Sequence, residues 1–461
     1  MKDCISSRIL LLKLGSNILY VFSSQIINLL LGVVTSILSA KVLKADGRGE
    51  IAIYTGALAI ITTWLGLSLN SAVIYFVASK KIREESFFYS SLLYNIFTSL
   101  FLFFILTFFR NTHFFSLFLS NTFNSNLWVL VLVFNYFIVQ FNGTLGSLMQ
   151  TKLGFKKVSL FSIFTTLLNL CLLIVLDYYR VNTKISLSII ICFGIVLQLF
   201  SSFFYFRYVF NKDYFKLTFL SNTEIKSVLK YIIIVFLCNA IQILSYRIDF
   251  WFVKYYHNLS ELGVYSLAVT LAQMLWIIPN SIASVFFIKT SQLSDSNEHV
   301  VNTVKVIKLY SLVIIPVSII FFIVIRFLVH KFYDFQFFSS INMLLVLMIG
   351  IVPFGITTII ASFFAGRNLV KLNLLTSSIS LILSLGLNFI FIPSFGGIGA
   401  SWATSISYAC ATIFIVYAFC VKTQNNFTSM LVNKDDVIYF RRIIVEKLAL
   451  FIKTKKDEKK V

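Results

Sequence analysis

The sequence predicts an all-α, polytopic membrane protein, and three observations support this fold class. Apolar residues of the set AVILMFWYC make up 58% of the 461 residues, whereas charged residues make up only 12%. A soluble chain normally has about twice that share of charged residues, which form the water-exposed surface of its domains. A membrane-spanning helix needs about 20 predominantly apolar residues, and this chain has enough for roughly a dozen. The apolar runs are also continuous, which argues against an alternating outer-membrane β-barrel.

Twelve apolar runs follow one another along the chain. They are Ser16–Ala40, Ile51–Ala78, Ser86–Phe109, Leu127–Gln150, Ser159–Leu176, Ile185–Phe206, Tyr231–Val253, Leu262–Ile288, Leu309–Ile325, Ser339–Ala365, Leu372–Ile392 and Ile398–Val421. The longest internal polar break, Arg207–Lys230, divides six runs from six. We therefore expect two six-helix lobes, over residues 1–215 and 225–421. Residues 422–461 are expected to form a basic, amphipathic tail on the cytoplasmic side.

Two internal similarities support the division into lobes. Leu69–Phe76 (LNSAVIYF) resembles Pro279–Phe286 (PNSIASVF) at an offset of 210 residues. Leu153–Leu170 resembles Ala365–Ile382 at an offset of 212 residues. Because six runs separate the copies, the lobes should share one topology and be related by an axis along the membrane normal.

The distribution of positive charge predicts the orientation. Placing both termini in the cytoplasm puts 29 of the 39 Lys and Arg residues on the cytoplasmic side and 9 in the outer loops. An excess of Lys and Arg is typical of the cytoplasmic loops of membrane proteins. It also explains the net charge of +21 without a nucleic-acid partner. We expect a multi-pass protein of the bacterial cytoplasmic (inner) membrane, with both termini inside.

The sequence lacks the motifs of common enzyme classes. It contains no phosphate-binding loop of the form GxxxxGK[ST] and no HExxH metal motif. The four histidines lie in loops, and no nucleophile is paired with a base. We therefore expect no catalytic residues, no bound metal and no cofactor.

Arg247 and Asp249 are the only charged residues inside the twelve runs. Such charges are expensive in hydrocarbon and by default indicate a functional site. Residues two apart on a helix point in different directions, so each charge needs its own partner or a hydrated cavity. Asn239, Gln242 and Tyr246 share one polar helix face with Asp249. Two interpretations remain open: the charges tether neighbouring helices, or they line a substrate cavity.

Uncharged polar side chains mark other spans. The remaining candidates for the cavity wall are the amides Asn17, Asn28, Asn70, Asn142, Gln273 and Asn280. These groups either form hydrogen bonds between helices or line one central aqueous path. Amide and hydroxyl groups suit the hydroxyls of a sugar, and one or a few cations suit phosphate.

Several short motifs together resemble a known family. They are the Gly-Arg-Gly-Glu turn at Gly47–Glu50, the Gly-Leu-Ser segment at Gly66–Ser68 with Asn70, the Arg-x-Asp pair at Arg247 and Asp249, Gly263 with Tyr265, and the segment with Leu275, Trp276 and Pro279. Over about residues 8–421 the chain resembles the polysaccharide branch of the multidrug/oligosaccharidyl-lipid/polysaccharide exporter superfamily. This branch comprises the Wzx-type O-antigen and capsule flippases.

This resemblance implies a function and partners. It implies two lobes around a cleft and alternating-access export of an undecaprenyl-pyrophosphate-linked oligosaccharide, from the inner to the outer leaflet, for O-antigen, capsule or lipopolysaccharide synthesis. The expected partners are the lipid-linked glycan, membrane lipids, and a polymerase with other assembly proteins. The family's cavity is lined by cations, but here only Arg247 lies deep in a span, with Lys13, Lys254 and Arg326 at span ends.

Two alternatives differ in their requirements. A multidrug or cation antiporter of the same superfamily is expected to need acidic residues in its cavity, and only Asp249 is available. A membrane O-antigen polymerase or ligase resembles proteins with one large outer loop. The longest predicted outer loop here, Arg110–Asn126, is short.

Overall fold

The structure is a computed structural model that describes residues 2–112, 115, 118–152, 155–210, 218–283, 296–367, 369–433 and 436. Within these ranges it places all side chains except those of residues 2–22, 121, 155 and 296–299. The regular structure in the described ranges is helical.

Eleven helices, numbered here in chain order, make up the described fold. They are α1 (Lys2–Gly66), α2 (Leu69–Ala78), α3 (Glu84–Phe109), α4 (Asn126–Thr151), α5 (Phe155–Tyr178), α6 (Thr183–Val209), α7 (Asn222–Tyr256), α8 (Leu259–Ala283), α9 (Ser296–Phe332), α10 (Ser340–Gly366) and α11 (Val370–Thr423). Helix α8 passes through a 3₁₀ turn at Met274–Trp276. Further 3₁₀ turns lie at Asn121–Phe123, Phe335–Phe337 and Phe427–Met430.

The predicted fold class is confirmed. In the described part of the chain, ten helices are long and apolar enough to cross a membrane, and α2 is a shorter apolar helix. Two of the ten are bent, α1 at Lys44 and α11 at Gly396, where the backbone is not helical. Helix α11 contains two complete predicted runs, and α1 contains one complete run and the first part of a second. The described chain therefore accounts for the twelve apolar runs with fewer separate helices.

One predicted run is interrupted in the structure. The run Ile51–Ala78 breaks at Leu67 and Ser68, whose φ angles of 45° and 56° are left-handed. Side chains from neighbouring helices satisfy carbonyl groups just before the break. The Tyr94 hydroxyl donates to the Leu65 carbonyl at 2.7 Å, and Gln140 Nε2 donates to the Thr62 carbonyl at 2.6 Å. Such replacement partners allow a broken helix at membrane depth.

The bend in α11 depends on glycine. Gly396 has a φ of 56°, which glycine adopts without steric cost. A Cβ at this position would lie 2.2 Å from Glu261 Oε1. That same carboxylate oxygen accepts a 2.8 Å hydrogen bond from the Gly397 N–H. The bend therefore ties α11 to the start of α8.

We call α1–α6 the first half and α7–α11 the second half. The largest apolar core lies mainly in the second half but also contains Ala40, Ala45 and Ile53 of α1. Two further cores belong mostly to the first half, and a fourth lies around α9, α10 and α11. The halves therefore share a packed core. Their behaviour as two lobes stays a prediction.

Candidate functional site

The two halves approach each other most closely where α1 meets α8. A Cβ on Gly263 would lie 1.9 Å from the Ala45 carbonyl oxygen, and one on Gly49 would lie 2.0 Å from the Leu259 carbonyl oxygen. Glycine permits this backbone-to-backbone contact, as small residues commonly do between membrane helices. The Lys and Arg distribution predicts that this end of the helices faces the outer side of the membrane.

Side chains of α7 extend this contact layer. The Trp251 ring stacks on Phe118 with centroids 5.7 Å apart, and its Nε1 donates to the Phe118 carbonyl at 3.1 Å. One turn later, Lys254 Nζ donates to the Leu119 carbonyl at 3.2 Å. We call these contacts, together with the glycine contacts, the outer junction. It joins the halves through non-covalent contacts, which can separate and reform.

The Gly-Arg-Gly-Glu segment, Gly47–Glu50, belongs to this region. The Arg48 guanidinium is buried, and its Nη1 donates to Ser39 Oγ at 2.9 Å. Glu50 accepts a 2.6 Å hydrogen bond from Thr122 Oγ1 and a second bond from the Ser120 hydroxyl. The predicted turn is helical in the structure, because these residues lie just after the bend of α1 at Lys44. Their hydrogen bonds therefore hold the bend in shape and place Gly49 against α8.

A polar cavity of about 400 Å³ lies between the halves. Three predicted site residues, Asn70, Asn239 and Gln242, line it together. Asn239 Nδ2 donates across the halves to Ser68 Oγ at 3.0 Å. The lining also includes Thr62, Thr63, Gly66, Ser71, Gln140 and Tyr246. The helix break at Leu67 and Ser68 therefore forms part of the wall of this interhalf cavity.

A second cavity of about 390 Å³ lies within the second half and contacts the first cavity along α7. Asn239, Gln242 and Tyr246 line both cavities. The predicted residue Asn280 lines this second-half cavity, as do Trp276, Phe354 and Asn373. The two spaces therefore adjoin through one shared helix face.

A third cavity, of about 390 Å³, lies within the first half. The predicted residue Asn142 lines it, but Asn142 Nδ2 is used for a 2.9 Å bond to the Gln198 carbonyl. Asn28, nearby on α1, donates to Ser162 Oγ at 3.0 Å. These two amides therefore link helices inside the first half.

Arg247 and Asp249 diverge as their spacing predicts. Asp249 is 3% exposed and accepts hydrogen bonds from the Tyr265 hydroxyl and, at 2.9 Å, from the Phe250 N–H. The Arg247 guanidinium is half-buried and lies 5.2 Å from the centroid of the Phe250 ring. Neither charge forms an ion pair with another residue in the described ranges.

The residues one turn before and one turn after Arg247 on α7 lie at the boundary between the halves. Arg247 lies one turn before Trp251, which contacts the first half, and one turn after Ile243, which lines the interhalf cavity. Residues four apart share a helix face. Arg247 therefore lies on the α7 face directed at the first half, between the outer junction and the cavity.

The remaining candidates lie elsewhere. Gln273 is half-buried and precedes the 3₁₀ turn in α8. The side chains of Asn17 and Lys13 lie outside the described residues, as does the predicted amphipathic tail beyond Asp436. Arg326 is exposed on α9, and Lys254 lies in the outer junction.

Sequence reasoning missed the aromatic wall and the helix break. Tyr246 and Trp276 pack with centroids 4.9 Å apart, and Trp276 and Phe354 lie 6.0 Å apart. The predicted helix face already contained Tyr246, but its aromatic neighbours come from other helices. The break at Leu67 and Ser68 follows Gly66, which was the only local signal of an interruption.

Comparisons with known proteins agree with this architecture. The family described as lipid II flippase MurJ matches residues 57–449. An inward-facing multidrug resistance MATE family transporter of the MOP superfamily has a TM-score of 0.64 and 14% identity, over 88% of this chain and 98% of that one. A lipid II flippase MurJ in an inward closed conformation has a TM-score of 0.62 and 17% identity, over 90% and 92%.

An outward-facing MATE transporter is also similar, with a TM-score of 0.60 and 15% identity, over 88% of this chain and 95% of that one. At these identities the structural matches show the fold alone. No curated protein sequence matches the chain. The comparisons support the superfamily expected from the sequence, but the matching family is not its polysaccharide branch.

Proposed function

Since the chain belongs to the lipid II flippase MurJ family, we propose that it transports a lipid-linked glycan precursor across the bacterial cytoplasmic membrane. The observation that carries this proposal is the polar interhalf cavity, which has walls from both halves and lies about two helical turns along α7 from Trp251 of the outer junction. A polar headgroup needs such a path because unpaired polar groups are costly in hydrocarbon. The protein is a transporter in this proposal and not an enzyme.

Alternating access requires a junction that opens and closes. The outer junction consists of one aromatic stack, two side-chain hydrogen bonds to carbonyls, and backbone contacts at two glycines. Its separation would connect the cavity to the outer leaflet. In the described structure the junction is formed, so the headgroup would enter from the cytoplasmic side and leave after the junction separates.

Arg247 is the residue that we propose meets the pyrophosphate. It lies on α7 between Ile243, which lines the interhalf cavity, and Trp251, which contacts the first half, and it lines none of the three described cavities itself. A guanidinium can grip phosphate oxygens with two parallel hydrogen bonds, whereas a lysine offers a point charge. Asn70, Asn239 and Gln242 would contact the uncharged part of the headgroup.

A matched set of variants tests this role. Arg247→Ala should reduce transport about tenfold or more, because a hydrogen bond to a charged group is lost. Arg247→Lys should keep part of the activity. The measurement is flipping of a lipid-linked glycan in proteoliposomes, with equal amounts of inserted protein. Arg326→Ala, at an exposed position on α9, is the control and should transport normally.

Wild-type transport by the Arg247→Ala protein would exclude Arg247 from the phosphate site. Loss of folded protein in place of loss of transport would instead support the structural interpretation of this charge.

Two lipid-linked substrates share the undecaprenyl-pyrophosphate group. The family match favours lipid II, the peptidoglycan precursor. The Gly-Arg-Gly-Glu turn and the Arg-x-Asp pair resemble the O-antigen and capsule flippases, which favours a surface-polysaccharide precursor as the second candidate. We propose lipid II first, because the family match extends over most of the chain.

Complementation distinguishes the two substrates. The gene is expressed in one strain depleted of its lipid II flippase and in another that lacks its O-antigen flippase. Rescue of growth in the first strain identifies lipid II, whereas restored surface glycan in the second identifies the other precursor. Failure in both strains, with the protein present in the membrane, would overturn the proposed function.

A multidrug antiporter is a weaker alternative. None of the described residues that line the three cavities is acidic. An antiporter that binds cations should have carboxylates in its binding site. Increased resistance to cationic drugs on expression, without complementation of either flippase strain, would favour this alternative.

A further inference from the structure

The second-half cavity has a chemically distinct wall. Its lining consists of amide, hydroxyl, thiol and apolar groups, and none of its described lining residues is charged. A pyrophosphate placed there would lack a cationic partner, and a buried unpaired charge is strongly unfavourable. The cavity volume of about 390 Å³ lies within the usual range for small-molecule sites. The wall therefore suits a neutral ligand.

Two buried polar atoms on this wall have no partner among the described residues. The Trp276 Nε1 is a donor, and the Asn373 Oδ1 is an acceptor. Asn373 Nδ2 already donates to the Ala361 carbonyl at 2.9 Å, so the amide is held in place while its buried oxygen has no partner among the described residues. Leaving buried polar atoms unpaired costs stability, so a ligand that bonds to both would gain from them.

Aromatic rings lie beside the unpaired donor. Trp276 packs between Tyr246, at 4.9 Å between centroids, and Phe354, at 6.0 Å. Aromatic faces carry partial negative charge. A sugar ring presents C–H groups on its faces and hydroxyls around its edge. It therefore matches a wall that combines aromatic rings with hydrogen-bonding groups.

The cavity is placed to receive one part of a larger ligand. Asn239, Gln242 and Tyr246 line both this cavity and the interhalf cavity, so the two spaces adjoin. Arg247 follows Tyr246 on α7 and lies one turn before Trp251, which contacts the first half. A headgroup whose phosphate meets Arg247 could extend its neutral portion past this shared face.

We propose that the second-half cavity is the subsite for the sugar rings of the lipid-linked glycan, with Trp276 Nε1 and Asn373 Oδ1 bonding to sugar oxygens and hydroxyls. This proposal rests on the proposed function, because it divides one substrate between two adjoining spaces. Arg247 serves the pyrophosphate, and the second-half cavity distinguishes a glycosylated lipid from a bare one.

The test compares two lipids that differ in their headgroup. Full-length protein in detergent is titrated with lipid II and with undecaprenyl pyrophosphate, and binding is measured by native mass spectrometry. Trp276→Phe keeps an aromatic ring but removes the N–H. It should weaken lipid II binding about threefold to tenfold and leave binding of undecaprenyl pyrophosphate unchanged. Arg247→Ala should weaken binding of both lipids.

Two further variants complete the design. Ser377→Leu adds volume to the cavity wall and should likewise weaken the binding of lipid II alone. This variant provides an independent readout if Trp276→Phe folds poorly. Trp402→Leu, at a tryptophan 42% exposed on α11, is the control and should bind both lipids normally. Melting temperatures without lipid identify any misfolded variant.

The outcomes separate the two proposals. Equal binding of both lipids by the wild-type protein would overturn the sugar subsite and leave the proposed function intact. The subsite proposal is also overturned if Trp276→Phe and Ser377→Leu weaken the binding of both lipids equally. It is likewise overturned if the two variants weaken the binding of neither lipid. If the wild-type protein binds neither lipid, the proposed function fails, and the subsite fails with it.

Discussion

At the residue scale, two glycines determine how closely the halves meet. Gly263 and Gly49 each face a carbonyl oxygen of the other half at a distance that no Cβ tolerates. The opposing atoms belong to the backbone, so they cannot move aside as a flexible side chain would. These positions carry no charge or polar group, but they decide whether the outer junction forms.

Gly263→Ala should separate the outer junction. Its Cβ would lie 1.9 Å from the Ala45 carbonyl oxygen, so α1 and α8 must move apart. In a cysteine-free background, spin labels at the exposed residues Leu127 and Tyr255 should report a longer distance. Gly194→Ala is the control, because a Cβ there has no neighbour within 4 Å. An unchanged distance in Gly263→Ala would contradict the assigned role.

Arg247 and Asp249, the two charged residues inside the apolar runs, differ in their contacts. The contacts of Asp249 with Tyr265 and the Phe250 N–H favour the interpretation that this carboxylate links helices within the second half. The position of Arg247 favours the cavity interpretation. One Arg-x-Asp motif therefore supplies, in our proposal, one structural residue and one substrate-binding residue.

At the element scale, the segment after α11 returns to α9. Lys308 Nζ lies 2.7 Å from Asp436 Oδ2, which also accepts a 2.9 Å bond from the Asn433 N–H. Met430, in the intervening 3₁₀ turn, is buried against α9–α11. The hydrogen bond from Lys308 and the bond from the Asn433 N–H lower the pKa of Asp436. The contact therefore stabilises the ionised carboxylate.

This contact should be lost on acidification. A carboxylate with a lowered pKa contributes stability above its ordinary pKa of about 4 and loses it as the pH falls through the lowered value. Lys308→Met should therefore speed amide hydrogen exchange in Phe427–Met430 at pH 7, after correction for intrinsic rates. The wild-type segment should show the same loosening only below about pH 4.

Lys305→Met, at an exposed position one turn earlier on α9, is the control for this measurement. Slow exchange in Lys308→Met at pH 7 would show that the ion pair does not hold the segment.

At the scale of the whole molecule, the distribution of positive charge predicts the orientation in the membrane. The 29-to-9 division of Lys and Arg residues predicts that both termini are cytoplasmic. An alkaline phosphatase fusion at Val461 should therefore be inactive, and one at Asn121 should be active. The reverse pattern would place the outer junction on the cytoplasmic side and reverse the proposed transport cycle.

The sequence by itself determined the fold class, the apolar runs and the rare membrane charges. These follow from composition and periodicity, because hydrocarbon accepts only long apolar helices and penalises charge. The helix face with Asn239 and Gln242 was also predicted, since residues on one helix have a known angular spacing. The resemblance in short motifs indicated the superfamily, and the family match is to the lipid II flippase MurJ family and does not support a Wzx-type flippase specifically.

Only the tertiary structure decided which polar residues share a cavity. Asn70 and Asn239, from different halves, line one cavity, whereas Asn142 and Asn28 bond to neighbours within the first half. An amide has the same local sequence signal in either setting, because its partner comes from a helix distant in the chain. The break at Ser68 depends likewise on Tyr94 and Gln140, which satisfy the carbonyls before it. Such contacts between distant segments arise from packing, and local periodicity does not record them.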